Sequence, residues 1–162
     1  MALWRWIAYG VIGVPIAVVA AGQLGLLRGK APDGLGVKDG RLKRPSTTPN
    51  SVSSQADLYP EHPMRGYASI APLSAGPDAA AALGRVRQVV AQMPGTTVIT
   101  SQTDYLYAQF ETRWLKFVDD VEFWYDPQAQ ALQVRSASRI GRKDFGVNRA
   151  RVEAIRAALA AR

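Results

Sequence analysis

Asp119, Asp120 and Glu122 sit together inside an aromatic run, and Arg135, Arg139, Arg149 and Arg151 follow closely behind them. Clustered carboxylates can hold a hard cation or exchange a proton, and clustered guanidinium groups can hold an anion. Both can also close ion pairs with each other. Successive strand residues point to opposite faces, so Asp119 and Asp120 cannot grip one ion without a bulge. Asp120 and Glu122 do share a face, and Glu111 is the candidate third ligand. Arg135 falls on that same face, however, so charge pairing is the stronger reading and no metal is assigned.

Nucleophilic catalysis finds little to work with. Ser136 and Ser138 flank Ala137 without the strained Gly-x-Ser-x-Gly turn of hydrolases. The chain has no cysteine, and its sole histidine, His62, lies in the turn-like run YPEHPMRG, where solvation is expected. A triad or a multi-histidine zinc site would have to recruit that one residue. No catalytic residue and no cofactor is assigned.

Arg149 and Arg151 fall in the first turn of the last predicted helix. The helix dipole and free N–H groups there already favour anions, so cations need a compensating negative charge. Asp144 can supply it through an internal network. Alternatively, the helix start, Asn148 and both arginines form a site for a bound anion.

The elements that position these residues read as follows. Gly66–Leu73 suggests a short strand. Asp78 caps a helix over 78–93, with Leu83, Val86, Val90 and Met93 along one stripe. Thr96–Ser101 and Tyr105–Thr112 read as strands, the second alternating Leu106, Ala108 and Phe110 against Tyr105, Tyr107, Gln109 and Glu111. A hairpin turns at Asp126–Ala131. Pairing Tyr125 with Leu132 sets Glu122 opposite Arg135 and Asp119 opposite Ser138. The last helix is expected to begin at Asn148, with Val147 and Val152 forming a hydrophobic staple and Val152, Ile155 and Leu159 buried. The fold class is therefore α+β: an antiparallel sheet of about four to five strands with two helices packed on one face.

Ile7–Leu27 is 21 residues without a charge. As a helix it would be roughly 30 Å long, enough to cross a hydrocarbon core. Trp4 and Trp6 stand where an interfacial belt would lie. An uncleaved N-terminal transmembrane helix (1–28) is the expectation, rather than a cleaved signal, with the bilayer as partner through residues 7–27. The net charge is +7, concentrated in Arg28–Arg44 and Arg135–Arg162. Such blocks can meet lipid head groups, nucleic acid or an acidic partner. Tyr105, Tyr107 and Trp124 could form a base-stacking platform, but a membrane anchor makes nucleic acid an awkward partner, and none is assigned. Charge counting alone slightly favours a cytoplasmic domain.

Residues 29–65 are rich in Gly, Pro, Ser and Lys and are expected to be irregular. DGRL at 39–42, TPNSVSSQA at 48–56, FVDDVEFW at 117–124 and VRSASRIGRKDFGVNRARVEAIR at 134–156 resemble the domain of unknown function 1499 family. The likeness runs from about Leu35 to Leu159. It implies a membrane-anchored or exported envelope protein and tips the orientation towards the periplasm of a bacterial inner membrane. It also implies that the 29–65 arm packs on the 66–162 domain instead of hanging free. It carries over no catalytic residue.

The leading expectation is a non-enzymatic envelope module whose polar face binds a partner or an anionic ligand. That face comprises Asp119, Asp120, Glu122, Arg135, Ser136, Ser138, Arg139, Asp144, Asn148, Arg149 and Arg151. The alternatives are an enzyme using the Asp119/Asp120/Glu122 cluster, and an accessory subunit of a membrane complex contacting its partner through the anchor.

Overall fold

The structure is a computed structural model. It describes residues 2–161, without the side chains of residues 2–6, 8 and 9. After helix α1 (Ala2–Gln23), the chain forms β1 (Ser51–Ser53), a 3₁₀ turn (Ala56–Leu58), the single-turn α2 (Arg65–Ala68) and β2 (Leu73–Ser74). Helix α3 (Ala79–Ala91) and strands β3 (Thr96–Ser101), β4 (Tyr105–Glu111), β5 (Val118–Asp126) and β6 (Ala131–Ser138) follow, closed by α4 (Val147–Ala160).

The sheet is antiparallel and has six strands in the order β1-β6-β5-β4-β3, with β2 also pairing against β6. The hairpin register is the expected one: Tyr125 opposes Leu132, Glu122 opposes Arg135 and Asp119 opposes Ser138. Burial explains why the alternation was informative. Leu106, Ala108, Phe110, Val121, Phe123, Tyr125, Leu132 and Val134 form one core with Leu83, Val86 and Val90 of α3 and Val152 and Ile155 of α4. Both helices therefore cover the same face. Asp78 caps α3, its carboxylate accepting from the Ala81 N–H at 3.0 Å.

The other face is not open. Tyr105, Tyr107 and Trp124 pack with Leu42, and with Leu35 and Val37, from the arm. All eight residues of β5 from Val118 to Tyr125 are buried. The arm thus forms a third layer, and the aromatic side chains are its floor, unavailable as a stacking platform.

Several expectations need correction. The arm contributes a strand: β1 pairs with β6 through Ser51↔Ala137 and Ser53↔Arg135. The expected strand at 66–73 is instead a helical turn followed by the two-residue β2. Ser69 joins the sheet region only by a parallel bridge to Ser53. His62 is buried, with Nδ1 accepting from the Met64 N–H at 3.1 Å. Helix α4 starts one residue early, at Val147, which is half-exposed; Gly146 precedes it in a left-handed conformation.

The amino end also differs. Helix α1 closes at Gln23, and residues 24–27 continue as turn. Among the described residues no helix is long and apolar enough to cross a membrane. The side chains of Trp4, Arg5 and Trp6, on which the expected belt and charge asymmetry rest, lie outside the described ones.

One side chain fixes the arm to itself. The buried Gln55 carboxamide accepts from the Leu42 N–H at 2.7 Å and donates to the Gly40 carbonyl at 3.0 Å. Gln55→Ala would leave a buried donor unpaired, which costs about 1–3 kcal/mol. Urea unfolding should show that loss, and amide exchange should accelerate around residues 35–44 before the sheet opens.

Candidate functional site

The predicted residues all come together, but on two opposite faces of the same sheet. Strand alternation puts Asp120, Glu122, Arg135 and Arg139 under the arm. It puts Asp119, Ser136 and Ser138 under α4, with Asp144, Asn148, Arg149 and Arg151 at the start of that helix.

Under the arm, the Asp120 carboxylate takes a forked pair of bonds from Arg139, Nε at 2.9 Å and Nη2 at 2.7 Å. It also accepts from the Tyr107 hydroxyl at 2.5 Å. Arg139 keeps its charge firmly, its pKa raised chiefly by this hydrogen bond to Asp120. Tyr107 is pushed up, first by burial and then by donating to Asp120. Glu122 is 0% exposed and accepts from the Gly36 N–H at 2.7 Å and the Tyr105 hydroxyl at 2.9 Å. Burial, followed by the facing Glu122 carboxylate, drives the Tyr105 phenol far above its ordinary value. The second Glu122 oxygen meets Arg135 Nη1 at 3.5 Å, an ion pair without an aligned hydrogen bond. Burial lowers the Arg135 pKa, against the pull of Glu122 and Asp120. Arg135 Nε reaches the Arg44 carbonyl of the arm at 3.4 Å.

On the helix side, Arg151 ties α4 to the sheet. Its Nη2 meets Asp119 at 2.5 Å, and Nη1 donates to Asn148 Oδ1 at 2.8 Å and Ser136 Oγ at 3.0 Å. Its guanidinium carbon lies 4.7 Å from the centre of the Phe110 ring, a cation–π contact. Asn148 is 0% exposed and spends its amide on three acceptors: Asp144 Oδ2 at 2.8 Å, Ser138 Oγ at 3.0 Å and the Asn50 carbonyl at 3.2 Å.

Asp144 receives the Gly146 and Asn148 backbone N–H groups, both at 3.1 Å, and the Tyr67 hydroxyl. Burial opposes its ionisation, but these bonds together outweigh burial and hold the carboxyl below its ordinary pKa. The Tyr67 phenol is raised in turn, by burial and by Asp144. So the helix start carries its own anion. Arg149 turns away from it and donates to the carbonyls of Tyr67 and Ser69, which close α2.

These are internal networks. Each arginine named has an acceptor from the chain, and each carboxylate has a donor. Glu111 stays apart from the acid cluster and pairs with Lys116 at 2.9 Å and Arg28 at 3.0 Å. Among the described residues no three of His, Asp or Glu are placed to hold a metal ion.

Cations without a carboxylate partner lie elsewhere, although the Lys43 ammonium donates to the Asp33 carbonyl. The arm folds around an open groove of about 540 Å³ lined by Lys38, Arg41, Lys43, Arg44 and Tyr59, and also by Asp33 and Asp39, so cations outnumber carboxylates there four to two. Among the described residues none of these four cations has a carboxylate within ion-pair distance. Arg41 and Arg44 lie 6.0 and 5.0 Å from the Tyr59 ring centre. The basic composition of the arm was visible in the sequence. The groove was not, because it depends on how an irregular segment doubles back across the sheet.

Fold and networks define a small α+β domain whose layered sheet locks its own amino-terminal arm in place. A family model described as Protein of unknown function (DUF1499) matches residues 41–159, and the chain belongs to that family. No curated protein and no solved structure matches the chain.

Two outcomes are expected. Arg151→Ala strands Asp119 beneath α4, and breaking a buried pair costs about 3–5 kcal/mol; denaturant midpoints measure it. Asp144→Asn tests the depressed carboxyl. A lowered folded-state pKa stabilises above the unfolded value and is lost as pH falls through the folded one. The stability gap between the natural chain and Asp144→Asn should therefore be widest near neutrality and close as pH drops below about 4, followed by thermal melts across that range.

Proposed function

We propose that this chain is a non-enzymatic module held at a membrane by α1, with a folded domain that presents a basic groove to an anionic ligand. The observation that carries the tether is the exposure of α1. Every residue from Gly10 to Val18 is exposed, including Val11, Ile12, Val14 and Ile16. A helix apolar all round is stable only when something apolar surrounds it. Of the uncharged run Ile7–Leu27, residues 7–23 are helical, and this apolar stretch is the part that would enter a hydrocarbon layer. The family likeness favours the periplasmic face of a bacterial inner membrane.

The non-enzymatic part of the reading rests on the acid and arginine clusters. Their charged groups are paired or hydrogen-bonded within the chain beneath the arm and α4, which keeps the carboxylates of these two clusters from a substrate. The ligand site moves accordingly, from the start of α4 to the arm. There unpaired guanidinium groups and an aromatic ring suit a phosphate or carboxylate.

Membrane retention after alkaline carbonate washing tests the tether. Val14→Arg with Ile16→Arg should release the chain, because a cation at a spanning-helix centre costs about 2.5–3.5 kcal/mol in insertion. The domain's near-ultraviolet spectrum should stay unchanged. Retention of the doubly charged variant would count decisively against the reading. Pyrophosphate titrated into the natural chain and into Arg41→Gln/Arg44→Gln tests the groove: binding should weaken at least tenfold in the variant, and equal binding would remove the assignment.

A further inference from the structure

One end of the sheet gathers features that neither the internal networks nor the groove use. Glu111 pairs with Val118, and Asp119 pairs with Ser138. The β4–β5 turn (112–117) and the β6–α4 loop (139–146) therefore leave the sheet at the same end.

Helix α1 is seated at that end too. A side chain at Gly22 would meet the Leu115 carbonyl oxygen at 2.7 Å, so only glycine allows the helix this close. Gln23 Nε2 donates to the carbonyls of Trp114 at 2.8 Å and Arg113 at 3.1 Å. Arg28 pairs with Glu111 at 3.0 Å. Gly29, at φ +68°, packs against Ile140 and Arg139. The end of α1 therefore rests on the 112–117 turn, and the segment that follows it, at Gly29, reaches the 139–146 loop.

Both loops hold large apolar side chains out into solvent. Trp114 is 61% exposed and Phe145 is 92% exposed. Phe145 also adopts a left-handed backbone, φ +53°. A strained conformation costs free energy, and here it is spent on a phenyl ring that buries nothing. Cations accompany the apolar groups. Arg113 lies 4.9 Å from the Trp114 ring centre, and Arg142 and Lys143 directly precede the Asp144–Phe145 turn. Among the described residues none of these three has a carboxylate within ion-pair distance.

We infer that the 112–117 and 139–146 loops form a docking surface for the anionic head-group layer of the bilayer that holds α1. Trp114 and Phe145 enter the interface, and Arg113, Arg142 and Lys143 meet lipid phosphates. Two features choose lipid over a protein partner: the exit of an apolar helix from this same end, and cations without a carboxylate partner at the Trp114 ring and just before Phe145 in the chain, the pattern of interfacial anchoring. The proposal rests on the tether reading above. It adds that the domain lies down on the membrane instead of swinging from it.

The natural absence of cysteine allows clean spin labelling. Labels at Trp114→Cys and Phe145→Cys (each leaving the other aromatic in place) and at Gln128→Cys, at the opposite end of the sheet, are read in full chain reconstituted into nanodiscs. With phosphatidylglycerol in the disc, the 114 and 145 labels should lose accessibility to an aqueous nickel chelate severalfold and gain accessibility to oxygen. The 128 label should remain aqueous. Discs of phosphatidylcholine alone, 0.5 M salt, or Arg113→Gln/Arg142→Gln/Lys143→Gln should each weaken the effect at 145. If the chain fails to enter discs at all, the tether reading falls and this one with it. If it enters while the 114 and 145 labels stay aqueous, docking alone is wrong. Equal shielding in phosphatidylcholine and phosphatidylglycerol would overturn the head-group assignment.

Discussion

A sheet covered on both faces has to neutralise every charge it carries. An unpaired ion moved out of water costs several kcal/mol, and removing one member of a buried pair exposes that cost. Of the four carboxylates of strand β5, three, Asp119, Asp120 and Glu122, are buried in the middle of this domain. Each is answered by an arginine: Asp119 by Arg151, Asp120 by Arg139 and Glu122 by Arg135. Arg135 comes from the neighbouring strand β6, Arg139 from the β6–α4 loop and Arg151 from α4. The layers are held in register by charge as well as by packing. An apolar interface would tolerate small slips, whereas a forked carboxylate–guanidinium pair has one geometry.

The same constraint gives the arm its role. Asp120 and Glu122 could face water if the arm were absent. Once Leu42 and its neighbours cover Tyr105, Tyr107 and Trp124, the carboxylates beneath need donors, and part of the supply comes from the arm's own backbone at Gly36. Arg135 likewise finds the Arg44 carbonyl. On the other face, Asn50 performs the corresponding service. Its carbonyl accepts from Asn148, and its amide reaches the Gly141 carbonyl at 2.8 Å. The arm therefore completes both polar networks, and the domain is unfinished without it.

This also explains which parts could be read from sequence. The β5–β6 register was legible because apolar and charged residues alternate strictly there, and only one pairing sets Glu122 against Arg135. The α3 helix was legible because a capping aspartate precedes a regular apolar stripe. Strand β1 was not, since Ser-Val-Ser has no pattern of its own and becomes a strand only because β6 offers a free edge. Residues 66–73 have strand-like composition, but the chain must turn to bring Tyr67 onto Asp144, and α2 makes that turn. The charged residues do pair, but on two opposite faces of the sheet instead of the single face expected. Their burial was missed because both covers come from distant parts of the chain, and propensity carries no information about them.

A consequence follows for where such a domain can interact. Charge saturation in the sheet makes its faces poor binding surfaces, since any ligand would first have to displace the arm or α4 and expose paired ions. Uncommitted chemistry is pushed outward, to individual loop side chains that the networks do not require. Connecting loops on a rigid scaffold are the usual carriers of recognition for this reason. Here the scaffold is rigid because its ion pairs are buried and cross-linked through Asn148 and Asn50. The loops that leave it at the β4–β5 and β6–α4 junctions are short, so residues such as Trp114 and Phe145 are held at fixed positions relative to the end of α1. A surface built this way loses little freedom when it meets a partner, because its anchors are already in place.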